Sequence, residues 1–561
     1  MKTQYKLILI AILGVFAFSC KDLTQINVDP NTISQVTVDP NFLMTSVIPE
    51  VVKPYQDDNY NGDCAGIMSY IQKSGWGGTL TYFNWTDPRS WGGNYGTLRD
   101  IYLMRDRAKA TGSDFHLGVA LIMKSFEFGL ITSLWGDAPY SQAGLGADNT
   151  KPKFDTQQDI FTGIIADLKT ANTLLSKPAS SYSNINPVAD PIYAGNPAKW
   201  QKLANSLLLR FYMRLSTKSP SVAKAGIEEI INNPATYPIF SSNADEAKLA
   251  YPGLSSGDSW ASATAWDSNV AQGNYTRIQL CAGFRDMLVG YNDPRLPVWF
   301  KPVSVQIVVT DQYAAQGGDV TIGSKRYITN AQLAAKGYVI YNPSTWVAAT
   351  PSATTGKTLI DTAKYVGIPL AISKTEPFTY NLNPSPLQGG ANQHVSALTD
   401  MFGQKTNSLL PAKMITYPEI CFILAEAAQR GYNVGSQQTW YTNGIQASLS
   451  YWGVSSSYAS YIAKPGVAYD GTLKQVMTQK YIANFLNAQE TWFDWRKTGF
   501  PNITIGNSGY KNTLPLRFKY DPTELNINGD NAAVAVAKLV PTANTGQTGN
   551  DDSWSLMWLL Q

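Results

Sequence analysis

Charge is scarce in this sequence. Only 15% of its 561 residues are charged, where a soluble chain usually carries about 25%, and 44 Lys+Arg against 41 Asp+Glu leave a net charge of +3. No dense Lys/Arg run supplies the cationic stripe that displaces counterions from a polynucleotide, so a nucleic-acid partner is excluded. Histidine is scarcer still. His116 and His394 are the only two, too few for a multi-histidine metal centre and a thin basis for histidine catalysis. Cys20, Cys64, Cys281 and Cys421 are widely spaced with no CxxC pair, which leaves no zinc ribbon or dense disulfide framework. Cys421 lies in the apolar run ICFILAEAA and reads as a buried free thiol. Walker A, HExxH and complete GxGxxG signatures are absent, and nothing that remains calls for a metal or cofactor.

Residual patterns carry little chemistry. Gly253-Leu-Ser255-Ser-Gly257 has the spacing of a nucleophile elbow, but that motif needs a strand before it and a helix after it, and neither Pro252 nor the Ser/Gly-rich sequel supplies them. Asp57-x-Asn59-x-Asn61-Gly62 opens like a calcium loop, yet Met68 stands where a bidentate carboxylate closes such a site. Glu228 and Glu229 are adjacent on a helix and point two ways, as on a solvated face.

The N-terminus is more informative. Lys2 and Lys6 precede an apolar run, Leu7 to Phe18, too short to span a bilayer core of about 30 Å as a helix. It reads as a secretory signal covering residues 1–19. Cys20 follows Ala17-Phe18-Ser19 and precedes the polar stretch KDLTQINVDPN, a lipoprotein arrangement in which the new N-terminal cysteine takes several palmitate-type acyl chains. Loss of the signal lowers the net charge to +1.

What the chain has in abundance is aromatic surface: 15 Trp, 31 Tyr and 20 Phe, 12% of the residues. Part of it lies at helical spacing. Trp200, Leu203, Ala204, Leu207, Leu208, Phe211, Tyr212 and Leu215 keep the i, i+3, i+4 pattern behind an Asn196-Pro197 start signal. His116 to Leu134 is apolar nearly all round, as in a central helix. Tyr417 to Arg430 starts at Pro418 and stops at Gly431. The same reasoning predicts helices over Gln157–Leu175, Val222–Asn232, Trp440–Trp452 and Leu473–Leu486, arranged as helix, turn, helix. Trp200-x-x-Leu203-Ala204-x-x-Leu207 follows the first helix of a tetratricopeptide unit, though no fixed period runs through the chain. Gly/Ser/Thr/Asn/Pro-rich stretches at 54–97, 176–198, 233–275, 302–400 and 501–553 read as long loops, with strand-like runs at Val303–Thr310 and Tyr338–Tyr341.

Several segments together are distinctive: Cys20 followed by INVDPN, then LRDIYLMRDRA, LIMKSFEFGLITSLWGDAPYSQA, WQKLANSLLLRFYMRLS, YPEICFILAEAAQRG and QETWFDWRKTGFP. In order and spacing along nearly the whole mature chain they resemble the SusD/RagB family of Bacteroidetes surface lipoproteins, with Lys497 where the family often has a second Arg. The resemblance implies a mainly α fold, tetratricopeptide-like helix pairs forming a scaffold with a loop-rich ligand region, in one domain over 20–561. It also implies a non-enzymatic glycan- or nutrient-binding protein, lipid-anchored at the cell outer membrane and facing the surface, that partners a SusC-like TonB-dependent transporter. The motifs themselves read as structural. Trp492 and Trp495 share a helix face, Arg496 and Glu490 satisfy one another or buried backbone, and Asp137 bonds backbone N–H groups after Gly136 and Pro139 stop a helix.

Sugars offer C–H faces to aromatic rings and hydroxyls to neutral polar groups, so aromatics in polar loops mark the ligand surface. The densest case is residues 74–96, with Trp76, Tyr82, Trp85, Trp91 and Tyr95 among six glycines, a composition that a helix or strand core would not use. Residues 255–275 add Trp260, Trp266 and Tyr275, beside Asp267 and Asn269. Trp346, Tyr341, Asn392, Gln393 and His394 are weaker candidates. Two other readings fit the same residues: a surface glycosidase with a facing carboxylate pair, and a member of the same family that binds peptides.

Overall fold

The computed structural model describes residues 37–73, 88–342, 358–370, 379–387, 390–505, 511, 513–546 and 549–561. The signal segment 1–19, the lipidation site Cys20, and Trp76, Tyr82, Trp85 and Trp346 lie outside them. The scaffold is helical: α1 (Pro40–Tyr60), α2 (Gly92–Ala110), α3 (Asp114–Trp135), α4 (Gln157–Leu175), α5 (Pro197–Arg214), α6 (Pro220–Asn232), α7 (Tyr417–Gln429), α8 (Gln437–Tyr451), α9 (Leu473–Ala483) and α10 (Ala488–Thr498). Sequence neighbours pack on one another, α2 with α3, α3 with α4, α4 with α5, α5 with α6 and α7 with α8, and α5 also meets α7. These are the helix pairs that the periodicity predicts, in the tetratricopeptide-like arrangement that the resemblance implies.

Local chemistry sets the helix ends. In α5 the side chain of Asn196 accepts from the Lys199 N–H, Pro197 occupies the first turn, and Trp200, Leu203, Leu207 and Phe211 are buried. In α7 the hydroxyl of Thr416 caps the Glu419 N–H, and Gly431 ends the turn at φ 79°. Apolar and long enough to cross a membrane, α3 is nevertheless buried among its neighbours. Two close approaches explain how tightly the layers pack. A Cβ on Gly129 would come within 2.3 Å of the Phe211 ring, and one on Gly226 within 2.2 Å of the Tyr212 ring.

The loop expectation for 54–97 is corrected at both ends. Residues 54–60 complete α1, which carries Pro49 and Pro54 inside it, and Gly92, Gly93 and Gly96 form the first turns of α2. Asp57 and Asn59 are thus helical and do not open a calcium loop. Asn59 instead donates to the Tyr55 carbonyl and accepts from the Gln489 N–H. Two short helices, Pro522–Ile527 and Gly529–Ala537, interrupt the 501–553 stretch. The 253–257 stretch has only a 3-10 turn, Ser256–Asp258, and makes no strand-to-helix elbow.

Strands are few and short: β1 (Ile71–Lys73), β2 (Ala138–Pro139), β3 (Phe154–Asp155), β4 (Lys248–Leu249), β5 (Ile278–Leu280), β6 (Gln306–Val309), β7 (Asp319–Ile322), β8 (Lys325–Ile328), β9 (Tyr338–Ile340), β10 (Thr358–Ile360) and β11 (Ala412–Lys413). Both strand-like runs read from the sequence are present, as β6 and β9. The strand order β6-β8-β7 makes a small mixed sheet, β9 pairs in parallel with β10, and β1 pairs antiparallel with β5. Asp137 accepts at 2.8 Å from the Gln157 N–H at the start of α4 and pairs with Lys538, both outside its own turn. Arg496 and Glu490 do not meet. Arg496 donates to the carbonyls of Leu516 and Ser133, while Glu490 pairs with Arg214 and Arg210. Cys64, Cys281 and Cys421 are free and buried.

Candidate functional site

The site is assembled by three rungs of sheet. In the β1–β5 ladder Ile71 faces Leu280, Gln72 faces Gln279 and Lys73 faces Ile278. Because the pair is antiparallel, the chain departs for the first aromatic segment at Lys73, opposite the point where the second segment arrives. The first segment returns at Arg89, whose guanidinium pairs with Asp63 on the short helix preceding β1. The same locality shapes Lys73. Burial pushes its ammonium down to about 8, Asp63 opposes that shift and Arg277 reinforces it. Lys73 and Arg89, which flank residues 74–87, thus both lie near Asp63.

The second segment is tied to itself and to residues 398–405. Trp266 is 43% exposed, its indole N–H donates to the Ser259 hydroxyl at 2.7 Å, and the Lys405 ammonium stands 5.4 Å from the ring centroid. Tyr275 is half-buried, and its hydroxyl donates to the Leu398 carbonyl at 3.2 Å and to Asp400 at 3.1 Å. Lys301 pairs with Asp400. Gly403 lies against both Thr264 and Tyr275. Within the loop, the Thr276 hydroxyl donates to the Val270 carbonyl and the Asp267 carboxylate packs on Gly273. The outcome is an indole with its N–H fixed and its surface partly open, bordered by hydroxyls, by the Lys405 ammonium and by the Lys301–Asp400 pair. That arrangement suits stacking against a neutral, hydroxyl-rich ligand.

Other aromatic candidates turn out to be scaffold. Trp260 is 2% exposed and packs on Tyr60, Tyr251 and Phe402, with ring centroids 4.6, 5.8 and 6.2 Å away. Trp91 is 4% exposed among Trp135, Phe154 and Tyr520. The glycines after Trp91 are helical and leave the indole to be buried at the head of α2, so neither ring is presented to a ligand. Tyr95 donates to the Pro139 carbonyl at 2.8 Å and, with Trp91, floors a recess of about 450 Å³ rimmed by Arg99, Gln142 and Glu524. Tyr341 donates to Asp286. Asn392 and His394 are buried, where Asn392 donates to the Tyr380 carbonyl and His394 Nδ1 meets the Val305 carbonyl. Gln393 lines an open polar cleft with Arg326 and Thr379. Sequence reasoning misses Lys73, Lys301, Asp400 and Lys405, because no motif or periodicity marks residues that reach the site from a distant part of the chain. Among the described residues, no cluster of three or more His, Cys, Asp or Glu could hold a metal ion.

Comparison with known proteins agrees with this architecture. A SusD-like family model, described as starch-binding and associating with the outer membrane, matches residues 30–345 and 348–521. No functionally curated protein matches the sequence. A SusD homologue of Bacteroides fragilis is 22% identical, covers 94% of this chain and 100% of its own, and superposes with a TM-score of 0.65. A chitin-binding SusD homologue of Flavobacterium johnsoniae is 21% identical over 93% of this chain and 97% of its own, at a TM-score of 0.64. A candidate nutrient-binding outer-membrane protein of Bacteroides vulgatus is 20% identical over 93% and 100%, at 0.67.

Proposed function

We propose, from the premise that this chain belongs to the SusD-like family of starch-binding proteins that associate with the outer membrane, that it captures an oligosaccharide on the surface around Trp266 and passes it to a SusC-like TonB-dependent transporter. The observation that supports this reading is the Trp266 ring, 43% exposed in a charge-poor loop with its N–H held by the Ser259 hydroxyl. Trp266 supplies a stacking face, and the neighbouring Ser, Thr and backbone groups supply neutral partners for hydroxyls. Acylation at Cys20 would hold the protein at the membrane, where a captured glycan is presented to the transporter.

The carboxylates on this face favour binding over hydrolysis. A glycosidase needs one acid and one base or nucleophile facing each other across the scissile bond. Here Asp400 is engaged by Lys301 and Tyr275, Asp258 by Lys53, and Asp267 is folded back on Gly273. The chitin-binding activity of the Flavobacterium homologue fits a glycan cargo in preference to peptide.

Calorimetric titration of the protein with starch- and chitin-derived oligosaccharides tests the reading, with Trp266→Ala expected to weaken binding about tenfold, the loss of a stacked ring. Equal affinity in wild type and variant would remove Trp266 from the site. Turnover of the glycan would support the glycosidase reading, and binding only to peptides would change the cargo. Copurification of a TonB-dependent transporter from outer membranes tests the partner.

A further inference from the structure

A second polar site lies in the helical scaffold, where α1, α8 and α9 meet the chain leading into α7. A cavity of about 40 Å³ is bounded by Gln56, Lys413, Tyr451, Trp452 and Asn484, with Glu246 at its side. Asn484 is 2% exposed, yet neither its amide nitrogen nor its amide oxygen has a hydrogen-bond partner. Its backbone is fully engaged: the N–H donates to the Lys480 carbonyl, and the carbonyl accepts from the Asn487 N–H. The side chain alone is left over, although buried amides are almost always paired.

Neighbouring polar groups are already committed. Gln56 donates to the Leu486 carbonyl and accepts from the Lys413 N–H. Asn487 donates to Glu419 and accepts from the Tyr55 hydroxyl. Lys413 pairs with Glu246 at 3.2 Å and lies on the Tyr451 ring. Lys248 reaches the same Glu246 oxygen at 3.5 Å, and beside these charges the cavity offers an incoming group one amide donor edge, one amide acceptor and an aromatic wall. Its rim is half-exposed at Leu409, Tyr451 and Leu486, so a group can enter from solvent.

We propose that Asn484 is a second saccharide contact, its amide bonded in bidentate fashion to two adjacent hydroxyls of a neutral sugar whose C–H face lies against Tyr451. A vicinal diol supplies what the amide lacks: one oxygen donates to the Asn484 oxygen while the other accepts from its N–H. The pair of hydroxyls sits where two neighbouring water molecules would, makes the same bonds, and covers apolar rim that water leaves wet. The position is also connected to the first site, since residues 398–405 meet Tyr275 and Trp266 and residues 409–413 line the cavity.

The inference rests on the glycan-binding reading, and the test separates the two. Maltotriose is titrated into wild type, Trp266→Ala, Asn484→Leu and Leu409→Trp, the last blocking the cavity mouth without touching the amide. Two binding events are expected in wild type, one of which survives Trp266→Ala and is weakened at least tenfold by Asn484→Leu and by Leu409→Trp. A crystal soaked in maltotriose should show sugar oxygens on both amide atoms of Asn484. A single event that disappears in Trp266→Ala and ignores both cavity variants overturns the second contact, as does a soaked crystal with only ordered water at Asn484. No binding of any glycan to wild type would instead overturn the function proposed for the first site.

Discussion

Arg210 and Glu419 meet between α5 and α7 through two parallel hydrogen bonds of 2.7 Å, both side chains buried. The Arg210 guanidinium also donates to the Met414 carbonyl and lies 3.6 Å from Glu490, which Arg214 engages as well. Burial alone would raise the Glu490 carboxyl, but Arg210 and Arg214 hold it below the usual range. This network fastens the N-terminal helix pairs to the C-terminal ones. Replacing Glu419 by Gln leaves Arg210 buried without its full counter-charge and should cost about 3 kcal/mol or more in urea-induced unfolding. The exposed Lys177–Asp114 pair is the contrast, where Asp114→Asn should leave the urea midpoint nearly unchanged.

Stability should also respond to pH through Glu127 in α3. It is 3% exposed, burial pushes its carboxyl up to about 7, and the Asn94 amide donates to it at 3.0 Å. An unfolded glutamate titrates near 4.5. Between these values the folded state binds more protons than the unfolded one, so the favourable contribution is complete below about 4.5 and is lost as pH rises to about 7. Glu127→Gln keeps the acceptor for Asn94 and should therefore be more stable than wild type by about 3 kcal/mol at pH 8, a difference that vanishes near pH 4. Parallel thermal melts at the two pH values read this directly.

Gly129 is where α3 lets the Phe211 ring of α5 approach. The added methyl of Gly129→Ala would sit 2.3 Å from two ring atoms and should destabilise the fold by about 1–3 kcal/mol. Phe211→Leu in the same chain should recover part of that loss, while a Gly129→Ala variant melting like wild type would contradict the close contact.

Trp260 and Trp266 lie six positions apart and should part company experimentally. Removing the buried Trp260 ring deletes a packed aromatic cluster and should cost about 3–5 kcal/mol. Removing the exposed Trp266 ring should change stability by under about 1 kcal/mol while lowering glycan affinity. Melting curves and titrations on both variants would show each effect without the other.

These two tryptophans also mark how far the sequence could be read. The helical stripe from Trp200 to Leu215 is local information, a face that any partner layer would bury, and it reappears as α5 with its Asn196 cap. α1 does not announce itself, because Pro49 and Pro54 interrupt the pattern, and only the burial of Met44, Ile48, Val51 and Val52 against the other helices makes it a helix. Trp91 among glycines reads as a loop, but contacts with Trp135 and Tyr520 outweigh the poor helix propensity of Gly92, Gly93 and Gly96. Trp260 and Trp266 sit in equally polar surroundings, and which of them is covered depends on Tyr60 and Phe402, far away in sequence. The helical scaffold was therefore legible, while the exposure of each ring was not.

The short ladder between Ile71–Lys73 and Ile278–Leu280 joins parts of the chain separated by roughly 200 residues. Nothing local can form it early. While the polypeptide emerges, β1 waits without its partner strand until half the protein has been made and α2 to α6 have stacked between the two strands. The ladder is thus a late acquisition in the life of each molecule, and a chain truncated before Ile278 would keep several helix pairs yet lack the pairing that ties Lys73 to the second half of the chain.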